Sequence, residues 1–217
     1  MTKKQKAKII IERLNQHYPT EIICYLNYTQ DYELLFATIL SAQCTDDRVN
    51  IVTKDLFKKY TTLQDYTQVP INELEQDIRS TGFYKNKAKS LQMAATMLLD
   101  VYNGILPSDI EELTKLPGVG RKTANVVRCH VFGLPSVVVD THVKRITYKL
   151  GLTISTDPVK IEFELMKILP KKSWIAYNHQ IIAHGRKICK APTPRCDTCF
   201  FTDICAYYIN STKSKLK

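Results

Sequence analysis

The stretch Leu116-Pro117-Gly118-Val119-Gly120-Arg121-Lys122-Thr123 lies between two segments whose apolar residues recur at helical spacing, so it must turn the chain tightly from one helix into the next. Gly118 and Gly120 permit positive φ and a close approach of the backbone to a ligand. The second helix then presents unpaired N–H groups and a positive dipole end, which together bind phosphate without any long side chain. Arg121 and Lys122 add charge at that end. A lone Gly-X-Gly is more often an ordinary helix connection, so the residues around it must carry the rest of the reading.

Outward from the hairpin, helical spacing continues in nearly every segment, as at Leu34, Leu35, Ile39 and Ala42, or Leu91, Ala94, Ala95, Leu98 and Leu99. Only Val137-Val138-Val139 reads as extended, a lead-in to a helix beginning near Thr141. The fold class is therefore all-α. Breaks are expected where Pro, Gly and capping residues cluster: Tyr18-Pro19, Val69-Pro70, Thr81-Gly82, Asn103-Gly104, Gly133-Leu134-Pro135 and Asp157-Pro158. About ten helices result. The tail, residues 211–217, reads as disordered.

Hydrophobic residues make up 44% of the chain and charged residues 24%, which suits a packed globular protein and argues against disorder. The formal net charge of +10 suits a polyanionic partner, because clustered Lys and Arg release counterions from phosphates. No run reaches the roughly 18 apolar residues that span a bilayer, and the Lys-rich start is too charged for a signal peptide. A cytoplasmic protein, with no membrane partner, is expected.

The seven cysteines are an odd number without a secretory signal, so a disulfide framework is disfavoured. Four of them, Cys189, Cys196, Cys199 and Cys205, form Cys-X6-Cys-X2-Cys-X5-Cys. Thiolates this dense suit either a four-thiolate zinc site or a [4Fe-4S] cluster. The others, Cys24, Cys44 and Cys129, sit within helical patterns and read as small buried residues. Lys122 falls in the first turn of the hairpin's second helix, where a partly buried neutral amine would be a nucleophile. Asp140 either caps the following helix or, if Thr141 caps it, faces a site. His142, in a bare Asp-X-His pair, reads as a surface residue without chemistry.

The string 116–123, continued by Thr123-Ala124-Asn125-Val126-Val127 and by Val139-Asp140-Thr141-His142, resembles the helix-hairpin-helix glycosylases of the endonuclease III family. The resemblance spans residues 33–205 and includes Leu40-Ser41-Ala42-Gln43, Gly82-Phe83-Tyr84 and His184-Gly185-Arg186. It implies two helical domains, a continuous bundle over residues 24–134 and a cluster domain built from 1–23 and 135–210. It also implies a DNA N-glycosylase for oxidised pyrimidines with AP lyase activity. Lys122 matches the family's nucleophile and Asp140 its catalytic carboxylate, while Gln43 and Phe83 match residues that fill the gap left by an extruded base. Gly118, Gly120 and Arg121 would meet phosphate. The cysteine spacing implies a [4Fe-4S] cluster holding a loop from which Lys190 and Arg195 reach the backbone. The partner is then double-stranded DNA with oxidised pyrimidines or abasic sites, met by a monomer in the cytoplasm, at the nucleoid if the cell is bacterial.

Three residues depart from the family pattern: Phe83 and Thr81 stand where aliphatic residues are expected, and Thr193 where a basic one is. Two rival functions use the same hairpin. An adenine-mismatch glycosylase would lack the nucleophilic lysine and carry a further C-terminal domain. A non-catalytic DNA-binding or redox module would not need Lys122 with Asp140.

Overall fold

A computed structural model describes residues 1–21 and 23–215, whose regular structure is helical, with no β-strand among the described residues. The chain divides into two compact units, one formed by Cys24–Leu134 and the other by Met1–Ile23 with Pro135–Lys217. Among the described residues no helix is long and apolar enough to cross a membrane.

The Cys24–Leu134 unit contains α2 (Asp31–Leu40), α3 (Asp46–Lys59), α4 (Leu63–Gln68), α5 (Ile71–Asp77), α6 (Tyr84–Tyr102), α7 (Ile110–Lys115) and α8 (Arg121–His130). Helix α2 is its axis. Every residue from Glu33 to Leu40 is buried, and Leu34, Leu35 and Phe36 pack with Leu91, Ala94 and Leu98 of α6 and Val127 of α8. The expected breaks have local causes. Helix α6 ends at Asn103, in the left-handed conformation that Asn tolerates, just before Gly104 at φ 76°. Helix α7 starts at Asp109, whose carboxylate accepts from the amides of Glu111 and Glu112, a cap that contributes about 1 kcal/mol.

The second unit contains α1 (Lys3–His17), α9 (Thr141–Leu150), α10 (Pro158–Ile168), α11 (Trp174–Lys187) and α12 (Ala206–Lys215). Its core joins Ala7, Ile10 and Leu14 of α1 to Val143 and Ile146 of α9, Leu165 of α10, and Tyr177 and Ile181 of α11. Asp157 caps α10, with Pro158 at the first helical position, where its missing N–H costs nothing. The expected disordered tail is helical as far as Lys215, because the backbone continues α12 and the Ser211 and Thr212 hydroxyls fold back onto the Tyr208 carbonyl. Leu216 and Lys217 lie outside the described residues.

Candidate functional site

In the Cys24–Leu134 unit, residues 116–120 turn α7 into α8. Gly118 has φ +79°, and a Cβ there would lie 2.7 Å from Cβ of Ser90 on α6, so this position needs glycine on two counts. Gly120 differs from the sequence expectation. Its φ of −91° and ψ of 173° are extended backbone that any residue adopts, and an added Cβ would meet nothing within 4 Å. What glycine leaves there is open space before the first turn of α8, whose N-cap supplies no side-chain hydrogen bond.

Lys122 projects from that first turn and is exposed, where the sequence suggests partial burial. Arg121 is half-buried, with its guanidinium 3.9 Å from Glu111. Two loops of the same unit carry the other expected contacts. Gln43 follows α2, is exposed and has φ 55°. Phe83 directly precedes α6, is 64% exposed and has φ 50°. A left-handed conformation costs a non-glycine residue about 1–2 kcal/mol, and a large apolar ring in water adds to that. An exposed, backbone-strained Phe is not a core aromatic; such strain concentrates at functional positions. Thr81, which replaces an aliphatic residue, is buried with its hydroxyl donating to the Ile78 carbonyl at 2.8 Å, so it fills the position without an unpaired polar atom.

Asp140 lies in the second unit and is the N-cap of α9. Its Oδ1 accepts from the Val143 amide at 2.7 Å, and Oδ2 lies 3.1 Å from His142 Nδ1. Of the two alternatives raised by the sequence, the structure has the first: Asp140, not Thr141, caps the helix, and its second oxygen is held by a neighbour. His142, which reads in the sequence as a surface residue, is the carboxylate's partner. Its ring fits against α11 because residue 185 is glycine: a Cβ there would sit 2.5 Å from His142 Cδ2.

The same unit carries the cysteines. Cys189, Cys196, Cys199 and Cys205 line one pocket with Ile146, Leu150 and Phe201. Burial raises the thiols of Cys189 and Cys196, and pushes that of Cys199 up to about 11, so thiolates here require a compensating cation. Arg145 donates to the Cys189 carbonyl at 2.8 Å, and Cys199 Sγ lies 3.7 Å from Nε2 of the buried His184. Among the described residues no three His, Cys, Asp or Glu side chains are grouped as a metal-ion site; the four cysteines share the pocket instead. Lys190 and Arg195 lie on the loop between the first two cysteines, Lys190 exposed and Arg195 flanking Cys196, and Thr193 is exposed between them. Of the remaining cysteines only Cys129 is fully buried, whereas Cys24 and Cys44 are half-buried against the core of their unit.

Residues 36–171 match the HhH-GPD superfamily of base excision DNA repair proteins. The chain is 47% identical to endonuclease III of Synechocystis sp. over 94% of its length and 93% of the relative's, and 44% identical to that of Bacillus subtilis over 94% of each. It is similar to the solved structure of a trapped covalent endonuclease III–DNA intermediate, with a TM-score of 0.92 and 46% identity over 98% of this chain and all of the other.

Proposed function

The chain belongs to the endonuclease III family of the HhH-GPD superfamily, whose chemistry is that of a bifunctional DNA glycosylase and AP lyase for oxidised pyrimidines, and we propose that it performs this chemistry with Lys122 as nucleophile and Asp140 as catalytic carboxylate. The observation that carries the assignment is an exposed amine in the first turn of a helix whose N-terminus no side chain caps. Phosphate fits such an end, and docking it there brings the sugar within reach of Lys122.

The Lys122 amine, once it has given up its proton, attacks C1′ of the damaged nucleoside as the bond to the base breaks, and the base leaves with the bonding pair. Asp140 stabilises the positive charge developing on the sugar and holds a proton in transit. Loss of the amine proton and opening of the sugar ring give an imine between Nζ and C1′. The imine acidifies the C2′ proton, whose removal expels the 3′ phosphate by β-elimination; water then hydrolyses the imine and frees Lys122. Gln43 and Phe83 fill the gap left in the duplex, while Gly118, Gly120, Arg121, Lys190 and Arg195 hold the backbone. The enzyme acts on DNA as a cytoplasmic monomer.

We assign a [4Fe-4S] cluster to Cys189, Cys196, Cys199 and Cys205, a reading supported by their spacing and their common pocket. When bound, the cluster serves as a scaffold for the loop bearing Lys190 and Arg195 and takes no part in bond breaking. Purified protein should absorb broadly near roughly 400 nm through thiolate-to-iron charge transfer. Protein prepared without oxygen that carries zinc and no iron contradicts the assignment.

The function is tested with a duplex containing one thymine glycol, incubated with the protein in the presence and absence of borohydride. Strand cleavage without borohydride and a covalent protein–DNA adduct with it are expected. A glycosylase that uses activated water releases the base without an obligatory amine adduct, and that outcome removes the mechanism.

A further inference from the structure

Lys87 stands one turn into α6 and is 5% exposed. Its ammonium donates to the carbonyl of Leu40 at 2.8 Å and to that of Thr81 at 2.8 Å. These two acceptors belong to different parts of the unit. Leu40 closes α2, where carbonyls lack helical partners and the dipole is negative, and Gln43 follows three residues later. Thr81 closes the short 3-10 turn Arg79–Thr81, and Phe83 follows two residues later, after Gly82 at φ 71° and ψ 156°. Among the described residues no carboxylate pairs with Lys87, and burial lowers the pKa of its ammonium. An apolar residue of the same length would be cheaper to bury. What the ammonium adds is a fixed distance between two segments that lie far apart in the chain. One turn further along α6, Ser90 abuts Gly118 of the hairpin.

We propose that Lys87 is a positioning residue that locks the Gln43 and Phe83 turns to each other, so that the two side chains enter the duplex as one wedge when a base is extruded. This rests on the reading that Gln43 and Phe83 fill the gap in the DNA. A cap for α2 would need one of the two bonds; the bond to Thr81 joins the second turn. Both turns hold their wedge residue in a left-handed conformation, so each side chain's direction is set by its own turn, and what the tie adds is the spacing between the two turns.

The test compares wild type with Lys87→Met, Lys87→Gln and Lys87→Arg on a duplex with 2-aminopurine beside a thymine glycol, and on the same duplex with a pre-formed abasic site. In Lys87→Met, single-turnover base release should slow by roughly ten- to a hundredfold, the scale of a misplacement of about 1 Å. The fluorescence rise that reports unstacking should shrink in parallel, and abasic-site cleavage should fall far less, since no base is displaced. Arg, with donors that reach both carbonyls, should restore most of the loss, and Gln little. Equal losses on both substrates that follow the melting temperature would make Lys87 a structural residue only and overturn the inference, as would a Met variant with wild-type base release. If the Met variant does not fold, the order Lys, Arg, Gln on the lesion duplex decides, and no difference among them overturns it. Gln43→Ala and Phe83→Ala separate the two ideas. If neither alters the fluorescence, the wedge reading falls and the inference with it; if they abolish it while Lys87→Met retains it, only the inference falls.

Discussion

Helices α8 and α9 are both 10 residues long, and both start from the same backbone geometry: φ −91° and ψ 173° at Gly120, φ −96° and ψ −174° at Asp140. They differ in what the N-cap side chain does. At α9 a carboxylate accepts from the helix's own amide and is held by His142. At α8 a glycine leaves the end open, with nothing within 4 Å of where a side chain would begin. A helix end satisfied from within offers a rigid carboxylate, and one left unsatisfied offers a seat for an external anion. The same local geometry therefore suits the carboxylate role proposed for Asp140 in one unit and the phosphate role proposed for the α8 end in the other.

The largest effect expected from breaking this pairing is at Lys122, the side chain beside the open end. Lys122→Gln keeps length and hydrogen-bonding capacity but removes the amine. Borohydride trapping and strand cleavage should vanish, while gel-shift affinity for the lesion duplex stays near wild type. Adduct formation by the variant at the wild-type rate would identify another amine as nucleophile.

Asp140→Asn comes next. Asn caps a helix about as well as Asp, so the melting temperature should barely move. Base release should nevertheless slow by roughly a hundredfold or more, the scale of one positioned charge or proton carrier, with a smaller loss on pre-formed abasic sites. Equal losses on both substrates would place Asp140 outside the base-release step.

Gly120→Asp turns one helix end into the other. The backbone already has the conformation of a capped N-terminus and the space is open, so the variant should fold with unchanged or slightly raised stability. The new carboxylate then occupies the end where the phosphate is proposed to sit. Affinity for undamaged and damaged duplex alike should fall by roughly tenfold or more, the scale of a lost charge-assisted hydrogen bond. If equilibrium binding at fixed salt is unchanged, the hairpin is not where the backbone docks.

These contrasts also mark what can be read from the sequence. The hairpin turn, the first-turn position of Lys122, the capping option of Asp140 and the density of the four cysteines are short-range patterns set within a few residues, whereas the roles proposed for them come from the family resemblance. The same locality locates the helix breaks. It fails where a role depends on what folding brings near. Lys87 looks like one more surface lysine of an amphipathic helix, yet its acceptor at Leu40 lies 47 residues away. Gly120 reads as a positive-φ position because glycine permits it, whereas its use in the fold is the side chain it lacks. The polar composition of residues 211–215 suggests disorder, but the backbone simply continues α12.

His142 should show the smallest effect and tests whether the closed helix end works as a unit. Its Nδ1 is 3.1 Å from Asp140 Oδ2, and its ring is seated against Gly185. Removing the ring in His142→Ala leaves the cap from Oδ1 to Val143 intact, so α9 should still form. What is lost is the restraint on Oδ2, and a net hydrogen bond of about 1 kcal/mol corresponds to roughly a fivefold slower base release. Because His142 acts through Asp140, its effect should disappear once the carboxylate is gone: His142→Ala combined with Asp140→Asn should be no slower than Asp140→Asn alone. If the two losses instead multiply, His142 touches DNA or substrate directly, and the closed end contributes two independent groups. Measuring both single variants and the double under single-turnover conditions decides between these, provided that melting curves show all three folded.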